Sequence, residues 1–200
     1  LGQAPAFAAS SEATRSQGWD RRRWIVLAAS CLVNLCIGSL YAWSVFASPM
    51  AAHLTAINGF DGGSLAIVFS VANAVGPITM ISGGAVNDRL GPRWVILAGG
   101  LLFGGGMIGA GFSTNLAMLV GFYGLGCGLG MGLVYGAVVS NAVKFFPDKK
   151  GLVGGIVTAF YGISSVLVPL IANALIAALD VTAAFKVLGV AMLAIIALCS

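Results

Sequence analysis

The chain has 200 residues, of which 59% are apolar and only 8% are charged, and its net charge is +4. Ordinary soluble domains carry about 25% charged residues, so this composition excludes that class and indicates an integral membrane protein. The basic residues lie at the ends of long apolar runs and form no face with interleaved aromatic side chains, which argues against a nucleic-acid partner.

The N-terminal segment, residues 1–23, is polar and ends in Arg21, Arg22 and Arg23, directly before an apolar run. A basic segment followed by an apolar one also begins a secretory signal peptide. The apolar region of a signal peptide spans about 7–15 residues, however, and this run is longer. We therefore predict a cytoplasmic tail over residues 1–23, followed by a retained membrane helix.

Six runs are long enough to cross a bilayer, which requires about 20 mainly apolar residues. They cover residues 24–48, 64–86, 94–112, 116–143, 151–177 and 183–200. None alternates apolar and polar residues as the strands of an outer-membrane barrel do, so we predict an all-α membrane fold. Because the chain begins without Met and stops inside an apolar run, we expect a fragment: a six-helix domain over residues 24–200 whose last helix is cut.

The positions of Lys and Arg predict the orientation of these helices. The basic residues before the first helix, between the second and third, and between the fourth and fifth all fall on one side of the membrane: Arg15, Arg21, Arg22, Arg23, Arg89, Arg93, Lys144, Lys149 and Lys150. The opposite side has only Lys186. Since basic residues concentrate on the cytoplasmic side, we predict a cytoplasmic N-terminus in a plasma or inner membrane.

A short repeat relates the first and fourth predicted helices. Gly38-Ser39-Leu40-Tyr41 matches Gly132-Leu133-Val134-Tyr135, and the two helices run in opposite directions. Inverted three-helix repeats occur within each half of some secondary transporters, where the substrate lies at the repeat interface near the membrane midplane. The match predicts inverted 3+3 repeats in this chain.

The fourth predicted helix carries a stripe of glycines spaced every four residues: Gly124, Gly128, Gly132 and Gly136. Stripes of small residues let helices approach closely in membranes. A nucleotide-binding glycine loop is the alternative, but it requires a βαβ unit and the G-x-G-x-x-G spacing, which is absent. We predict close helix packing, with either a neighbouring helix or a second copy of the chain as the partner.

Three tyrosines, Tyr41, Tyr135 and Tyr161, lie at least one turn inside their predicted helices. Tyrosines at the membrane surface form an aromatic belt, but a phenol within the membrane needs a polar partner and favours the bundle interior or a wet cavity. We predict that these three line a substrate cavity. Asn34 and Asn73 are further candidates, although hydrogen bonds between helices explain them equally well.

Catalytic chemistry has no support in the sequence. No charge lies near the middle of the first five spans, and no nucleophile–base pair or metal-ligand set is present. We therefore expect no enzymatic activity, no cofactor and no metal site.

The charged segment Gly84-Ala85-Val86-Asn87-Asp88-Arg89-Leu90-Gly91-Pro92-Arg93 fits the pattern G-x-x-x-D-R-x-G-x-R. It resembles the loop between the second and third helices of major facilitator superfamily transporters. That resemblance implies that Asp88, Arg89 and Arg93 form a cytoplasmic gate that holds helix ends together in one access state. The alternative is that the arginines only fix the orientation of the chain.

Two further segments are similar to the oxalate/formate antiporter family within that superfamily. They are Gly38-Ser39-Leu40-Tyr41-Ala42-Trp43-Ser44-Val45-Phe46 and Phe146-Pro147-Asp148-Lys149-Lys150-Gly151-Leu152. The resemblance implies a twelve-helix carrier that moves small mono- or dicarboxylates, such as oxalate, formate or lactate, by alternating access. It also implies that a C-terminal six-helix half supplies the basic residues that bind the carboxylates.

Two other functions compete with this interpretation. One is a carrier of the same superfamily with a different solute. The other is a non-transporting six-helix membrane subunit, which could form a dimer with the glycine stripe as one contact.

Overall fold

The computed structural model describes residues 6–59 and 65–200, with side chains from residue 21 onward except those of Ala85 and Asp88. Every secondary-structure element in these ranges is helical, as the sequence predicts. Six of the described helices, counted with their continuations, are long and apolar enough to span a membrane, which confirms the predicted number.

The six helices are numbered here in chain order. Helix 1 consists of Ala6–Ile37, a 3-10 segment Gly38–Ala42, and Trp43–Asn58; helix 2 is Ala66–Leu90; helix 3 is Pro92–Ala110; helix 4 consists of Leu116–Leu119, a π-helical segment Val120–Cys127, and Gly128–Phe145; helix 5 is Lys150–Ala178, after a 3-10 turn Pro147–Lys149; helix 6 is Val181–Cys199.

Helix 1 extends beyond its predicted bounds at both ends. It begins at Ala6 rather than at residue 24 and continues through Pro49 to Asn58. The earlier start follows from a segment rich in Ala and Arg, which are good helix formers. The later end shows that Pro49 does not terminate the helix, because a membrane bundle can satisfy the backbone groups that a proline frees. Pro77 and Pro169 likewise lie inside helices 2 and 5.

Helix packing follows the inverted repeat. Helix 1 packs against helices 5 and 6, helix 4 packs against helices 2 and 3, and helix 3 packs against helix 6. Exchanging helices 1, 2 and 3 with helices 4, 5 and 6 leaves these pairings unchanged. The packing therefore agrees with the predicted 3+3 arrangement.

Buried aromatic residues occupy the centre of the bundle. Phe46 of helix 1 stacks on Phe185 of helix 6 with ring centroids 4.1 Å apart, and Phe103 of helix 3 is fully buried. Helices 2 and 5, in contrast, leave long apolar faces exposed, with side chains that include Ile67, Ile78, Ile81, Ile163, Val166 and Leu170. In a bilayer such faces contact either lipid or another set of helices.

Candidate functional site

A cavity of about 170 Å³ lies between helices 1, 2, 4 and 5. Four of the five predicted cavity residues line it: Tyr41, Asn73, Tyr135 and Tyr161. The other lining residues are Gly76, Pro77, Met80 and Met131. A single water needs roughly 10–15 Å³ of such space, so the cavity has room for several waters or a small solute.

Tyr161 of helix 5 is the central ring of the cavity. Its ring centroid lies 5.6 Å from that of Tyr41 and 5.2 Å from that of Tyr135. Tyr41 also contacts Phe69 of helix 2 edge to face, with centroids 6.0 Å apart. Edge-to-face contacts of this kind are favourable because the positive edge of one ring meets the negative face of the other. The aromatic cluster therefore joins helices 1, 2, 4 and 5.

Two polar residues of the cavity wall, Tyr135 and Asn73, have hydrogen-bond partners within the bundle. The Tyr135 hydroxyl lies 3.2 Å from Oγ1 of Thr158 on helix 5, and either group can donate the hydrogen bond. Asn73 donates from Nδ2 to the carbonyl oxygen of Phe69, one turn earlier, at 2.9 Å. All eight lining residues are uncharged, so the wall offers phenol and amide groups but no ion to a solute.

Asn34 does not line this cavity. It is fully buried, and its Nδ2 donates to the carbonyl oxygen of Val157 at 2.9 Å, which ties helix 1 to helix 5. This contact corresponds to the packing alternative that the sequence left open for both asparagines.

Tyr123 is a polar contact that the sequence analysis did not identify. It is 1% exposed and donates its hydroxyl to the carbonyl oxygen of Leu40 at 3.0 Å. Tyr123 belongs to the π-helical segment of helix 4, and Leu40 to the 3-10 segment of helix 1. The bond thus joins the two irregular segments of the bundle. The signal that could have found it is a fourth tyrosine deep inside an apolar span.

The glycine stripe of helix 4 faces helix 2. An added Cβ on each glycine would meet a residue of that helix, with Gly124 facing Val68 and Val71, Gly128 facing Ala72, Gly132 facing Gly76 and Thr79, and Gly136 facing Met80. The close partner is therefore a neighbouring helix of the same chain. Since Gly76 and Met80 also line the cavity, this contact sets the position of one cavity wall.

The predicted gate residues lie where helix 2 turns into helix 3. Helix 2 continues to Leu90, four residues beyond its predicted end, so Asp88 and Arg89 belong to its last turn and do not lie in a loop before helix 3. The break comes at Gly91, whose φ of 82° suits glycine, and Pro92 then begins helix 3. Arg89 and Arg93 are exposed, and the side chain of Asp88 lies outside the described part of the structure.

A second contact at the same end of the bundle joins helix 1 to the turn between helices 4 and 5. Arg23 Nη2 lies 3.5 Å from Asp148 Oδ2, and the guanidinium carbon lies 4.6 Å from the ring centroid of Phe146. Trp24 meets the same ring edge to face at 5.7 Å. The Phe146–Leu152 motif is therefore held against helix 1 at Arg23 and Trp24.

Metal-binding geometry is not found among the residues that the structure describes, since no group of three His, Cys, Asp or Glu side chains there could hold an ion. The polar chemistry of the cavity is limited to hydrogen bonding by phenols, a hydroxyl and an amide.

The comparisons of this chain with a family model and with individual proteins agree with one another. A family model described as Major Facilitator Superfamily matches residues 19–200. The chain is 32% identical over 163 residues to the oxalate:formate antiporter of Oxalobacter formigenes, covering 80% of this chain and 38% of that protein. It is 32% identical over 150 residues to the MFS-type transporter YhjX of Escherichia coli, covering 74% of this chain and 36% of that protein.

A more distant relative is apicoplast pyruvate carrier 1 of Toxoplasma gondii, with 28% identity over 80% of this chain and 36% of that protein. The chain spans less than half the length of these three relatives.

Proposed function

Because this chain belongs to the major facilitator superfamily, we propose that it forms the N-terminal half of a secondary active transporter of small carboxylates. The family is one of transporters, so the chain is a transporter segment and not an enzyme. The observation that carries the substrate class is the uncharged cavity around Tyr41, Tyr135 and Tyr161.

The chemistry of this cavity suits one side of a small carboxylate. Phenol hydroxyls can donate hydrogen bonds to carboxylate oxygens, and the positive edges of aromatic rings favour a nearby anion. A buried anion also needs an opposite charge, because burying a lone carboxylate costs several kcal/mol. The uncharged lining therefore requires cationic groups from outside this chain, which we assign to a C-terminal six-helix half.

The exposed faces of helices 2 and 5 support this second half. Both helices contribute residues to the cavity lining, and both carry exposed apolar side chains along most of their length. Helices from a second half would cover them and close the cavity from the opposite side. The length of the relatives, more than twice that of this chain, agrees with such a partner.

The names of the relatives narrow the substrate class. One relative is an oxalate:formate antiporter and another is a pyruvate carrier. All three named solutes are small carboxylates, and we extend that class to this carrier, with oxalate, formate, lactate and pyruvate as the solutes to test.

Alternating access completes the proposed mechanism. Rigid-body rocking of the two halves would expose the cavity to each side in turn. In this scheme the N-terminus lies in the cytoplasm of a cell whose plasma or inner membrane holds the carrier. Asp88, Arg89 and Arg93 hold the cytoplasmic helix ends together when the cavity opens outward.

The test is solute exchange by the full-length carrier that contains this chain, reconstituted in vesicles. Vesicles loaded with oxalate, formate, lactate or pyruvate should take up a labelled carboxylate faster than empty vesicles, and Tyr161→Phe should raise the KM. Uptake of a labelled sugar serves as the comparison. Movement of the sugar without movement of any carboxylate would overturn the substrate class and leave the family membership intact.

A further inference from the structure

A groove runs along helices 1 and 5 at the end of the bundle where Arg23 meets Asp148. Its first part has a volume of about 390 Å³ and is lined by three charged residues, two aromatic residues and four aliphatic ones; the charged and aromatic residues are Arg23, Asp148, Lys149, Trp24 and Phe146. Its second part, of about 460 Å³, has an almost entirely apolar lining. The two parts share Trp24, Leu27 and Ile156, so they form one continuous groove with a polar and an apolar end.

We propose that this groove binds one anionic phospholipid, with its phosphate at Arg23 and Lys149 and one acyl chain along helix 1. The assignment of this lipid to the cytoplasmic leaflet rests on the proposed orientation of the chain. The binding of the lipid does not depend on transport. The groove and the solute cavity both use helices 1 and 5, but they share no lining residue. The two sites are therefore separate.

Charge at the polar end favours an anionic headgroup. Arg23 and Lys149 supply two positive charges and Asp148 one negative charge, which leaves a net charge of +1. The Arg23–Asp148 contact is 3.5 Å long, well beyond the roughly 2.7–2.9 Å of a strong charged hydrogen bond. A guanidinium has five N–H donors in a fork that fits phosphate oxygens, so Arg23 can bind a phosphate while it remains near Asp148.

Length and polarity of the second part favour an acyl chain. The apolar lining follows helix 1 from Trp24 to Leu35, with Ala28, Cys31 and Leu32 between them. At 1.5 Å per residue this stretch is about 16 Å long, close to the ~15 Å that one leaflet contributes to the hydrocarbon core. Phe160 of helix 5 lines the opposite wall. A basic pocket between membrane helices that continues into an apolar groove matches the shape of an anionic lipid.

Native mass spectrometry of the purified full-length carrier in detergent tests the charge requirement. We expect phosphatidylglycerol to bind with one strong site and phosphatidylcholine to bind about tenfold more weakly. Arg23→Gln combined with Lys149→Gln should weaken phosphatidylglycerol binding about tenfold. Lys150→Gln removes the neighbouring exposed charge, which does not line the groove, and should leave binding unchanged.

Inorganic phosphate separates a lipid site from a site for a free anion. Millimolar phosphate that displaces the lipid and binds equally well on its own would overturn the proposal in favour of a free-anion site. Equal binding of both lipids, or unchanged binding in the double variant, would also overturn it. The melting temperature of each variant without lipid identifies any variant that fails to fold.

Fluorescence quenching tests the acyl-chain part and its rival occupant, the second half of the carrier. In the full-length protein with Trp24 as the only tryptophan, phosphatidylglycerol brominated on the acyl chain should quench Trp24 fluorescence. Ala28→Leu fills the apolar part of the groove without adding a second tryptophan, and it should reduce the quenching of Trp24. Ala98→Leu, at an exposed position of helix 3, is the matched control. Absence of quenching would mean that the second half covers the groove, and the proposal would be wrong.

Discussion

Gly38 of helix 1 and Gly132 of helix 4 make the same contact in the two halves of the inverted repeat. An added Cβ on Gly38 would meet the carbonyl oxygen of Tyr161 and the side chain of Ser164 on helix 5. An added Cβ on Gly132 would meet the carbonyl oxygen of Gly76 and the hydroxyl of Thr79 on helix 2. In each case a glycine packs on a carbonyl and on a hydroxyl residue three positions later.

This equivalence gives the four-residue sequence repeat a physical meaning. Gly38 and Gly132 are the first residues of the matching tetrapeptides, and Tyr41 and Tyr135 are the last. The glycines bring helices 1 and 4 against helices 5 and 2, and both tyrosines then contact the ring of Tyr161. The repeat thus places Tyr41 of helix 1 and Tyr135 of helix 4 in the wall of the same cavity.

Replacing either glycine by alanine should loosen this packing. The added methyl group of Gly38→Ala or Gly132→Ala has backbone atoms within contact distance, and overpacking of this kind costs about 1–3 kcal/mol. We expect a lower melting temperature in detergent for both variants. Gly105→Ala is the control, because an added Cβ there meets nothing within 4 Å. Equal melting temperatures for all three variants would contradict the close-packing interpretation.

Removing cavity hydroxyls should weaken solute binding without unfolding the carrier. Tyr135→Phe deletes the cavity hydroxyl that pairs with Thr158. In the proposed function this hydroxyl also donates to the carboxylate solute, and losing a hydrogen bond to a charged solute costs about 1.5 kcal/mol, or roughly tenfold in affinity. We expect the KM for the transported carboxylate to rise about tenfold with an unchanged melting temperature.

The same substitution outside the cavity should have the opposite effect. Tyr123→Phe leaves the buried carbonyl of Leu40 without its tyrosine donor, which costs about 1–3 kcal/mol of stability. We expect a lower melting temperature and an unchanged KM in the variant that still folds. A raised KM for Tyr123→Phe with an unaltered KM for Tyr135→Phe would refute the assignment of the cavity.

Sequence patterns predicted the membrane fold well because lipid imposes simple requirements. Length and hydropathy locate the six spans. Each span must then be a helix, because its backbone N–H and C=O groups have no water to bond with in the bilayer. The helix ends were less accurate. The predicted first helix ends at residue 48, before Pro49, and the predicted second helix ends at residue 86, but a membrane bundle tolerates the proline, and Gly91 is the actual break.

Contacts between distant segments were the part that the sequence could not predict. Depth within a span placed Tyr41, Tyr135 and Tyr161 near one another, but it could not separate Asn73, which lines the cavity, from Asn34, which ties helix 1 to helix 5. Both are asparagines in apolar spans, and only the rotation of each helix distinguishes them. The π-helical and 3-10 segments, with their Tyr123–Leu40 bond, depend on tertiary packing in the same way.

Charge at the turn between helices 2 and 3 should control the rate of transport. Asp88→Asn removes a carboxylate from the proposed gate, and we expect the maximal exchange rate to fall about tenfold, which corresponds to roughly 1.4 kcal/mol in the rate-limiting step. The KM should change less than twofold, because this turn lies outside the solute cavity. Asp88→Glu keeps the charge and should retain most of the rate.

Arg89→Gln and Arg93→Gln distinguish a gate from a topology signal. A gate predicts slow exchange by correctly oriented protein, whereas a topology signal predicts an altered orientation, which labelling of a terminal tag on each side of the membrane would detect. Unchanged exchange rates in all of these variants would remove the gate from the mechanism.

Asp180 caps the N-terminus of helix 6, and its effect on stability should depend on pH. Its Oδ1 accepts hydrogen bonds from the backbone N–H of Ala183 and from the Thr182 hydroxyl, both at 2.7 Å. The first of these bonds is the main cause that lowers the pKa of the Asp180 carboxyl below its usual value of 3.8. Because the folded-state pKa is the lower one, the carboxylate stabilises helix 6 fully above pH 3.8, and the stabilisation is lost as the pH falls through the folded-state pKa.

Asp180→Ala should therefore lower the melting temperature at pH 7, and its difference from the unmodified protein should shrink below pH 3.8. Asp180→Asn keeps a capping side chain without the charge, so its loss at pH 7 should be smaller than that of Asp180→Ala and should likewise shrink below pH 3.8. Melting curves between pH 3 and pH 7 measure both effects, and a difference for Asp180→Ala that grows on acidification would contradict the capping assignment.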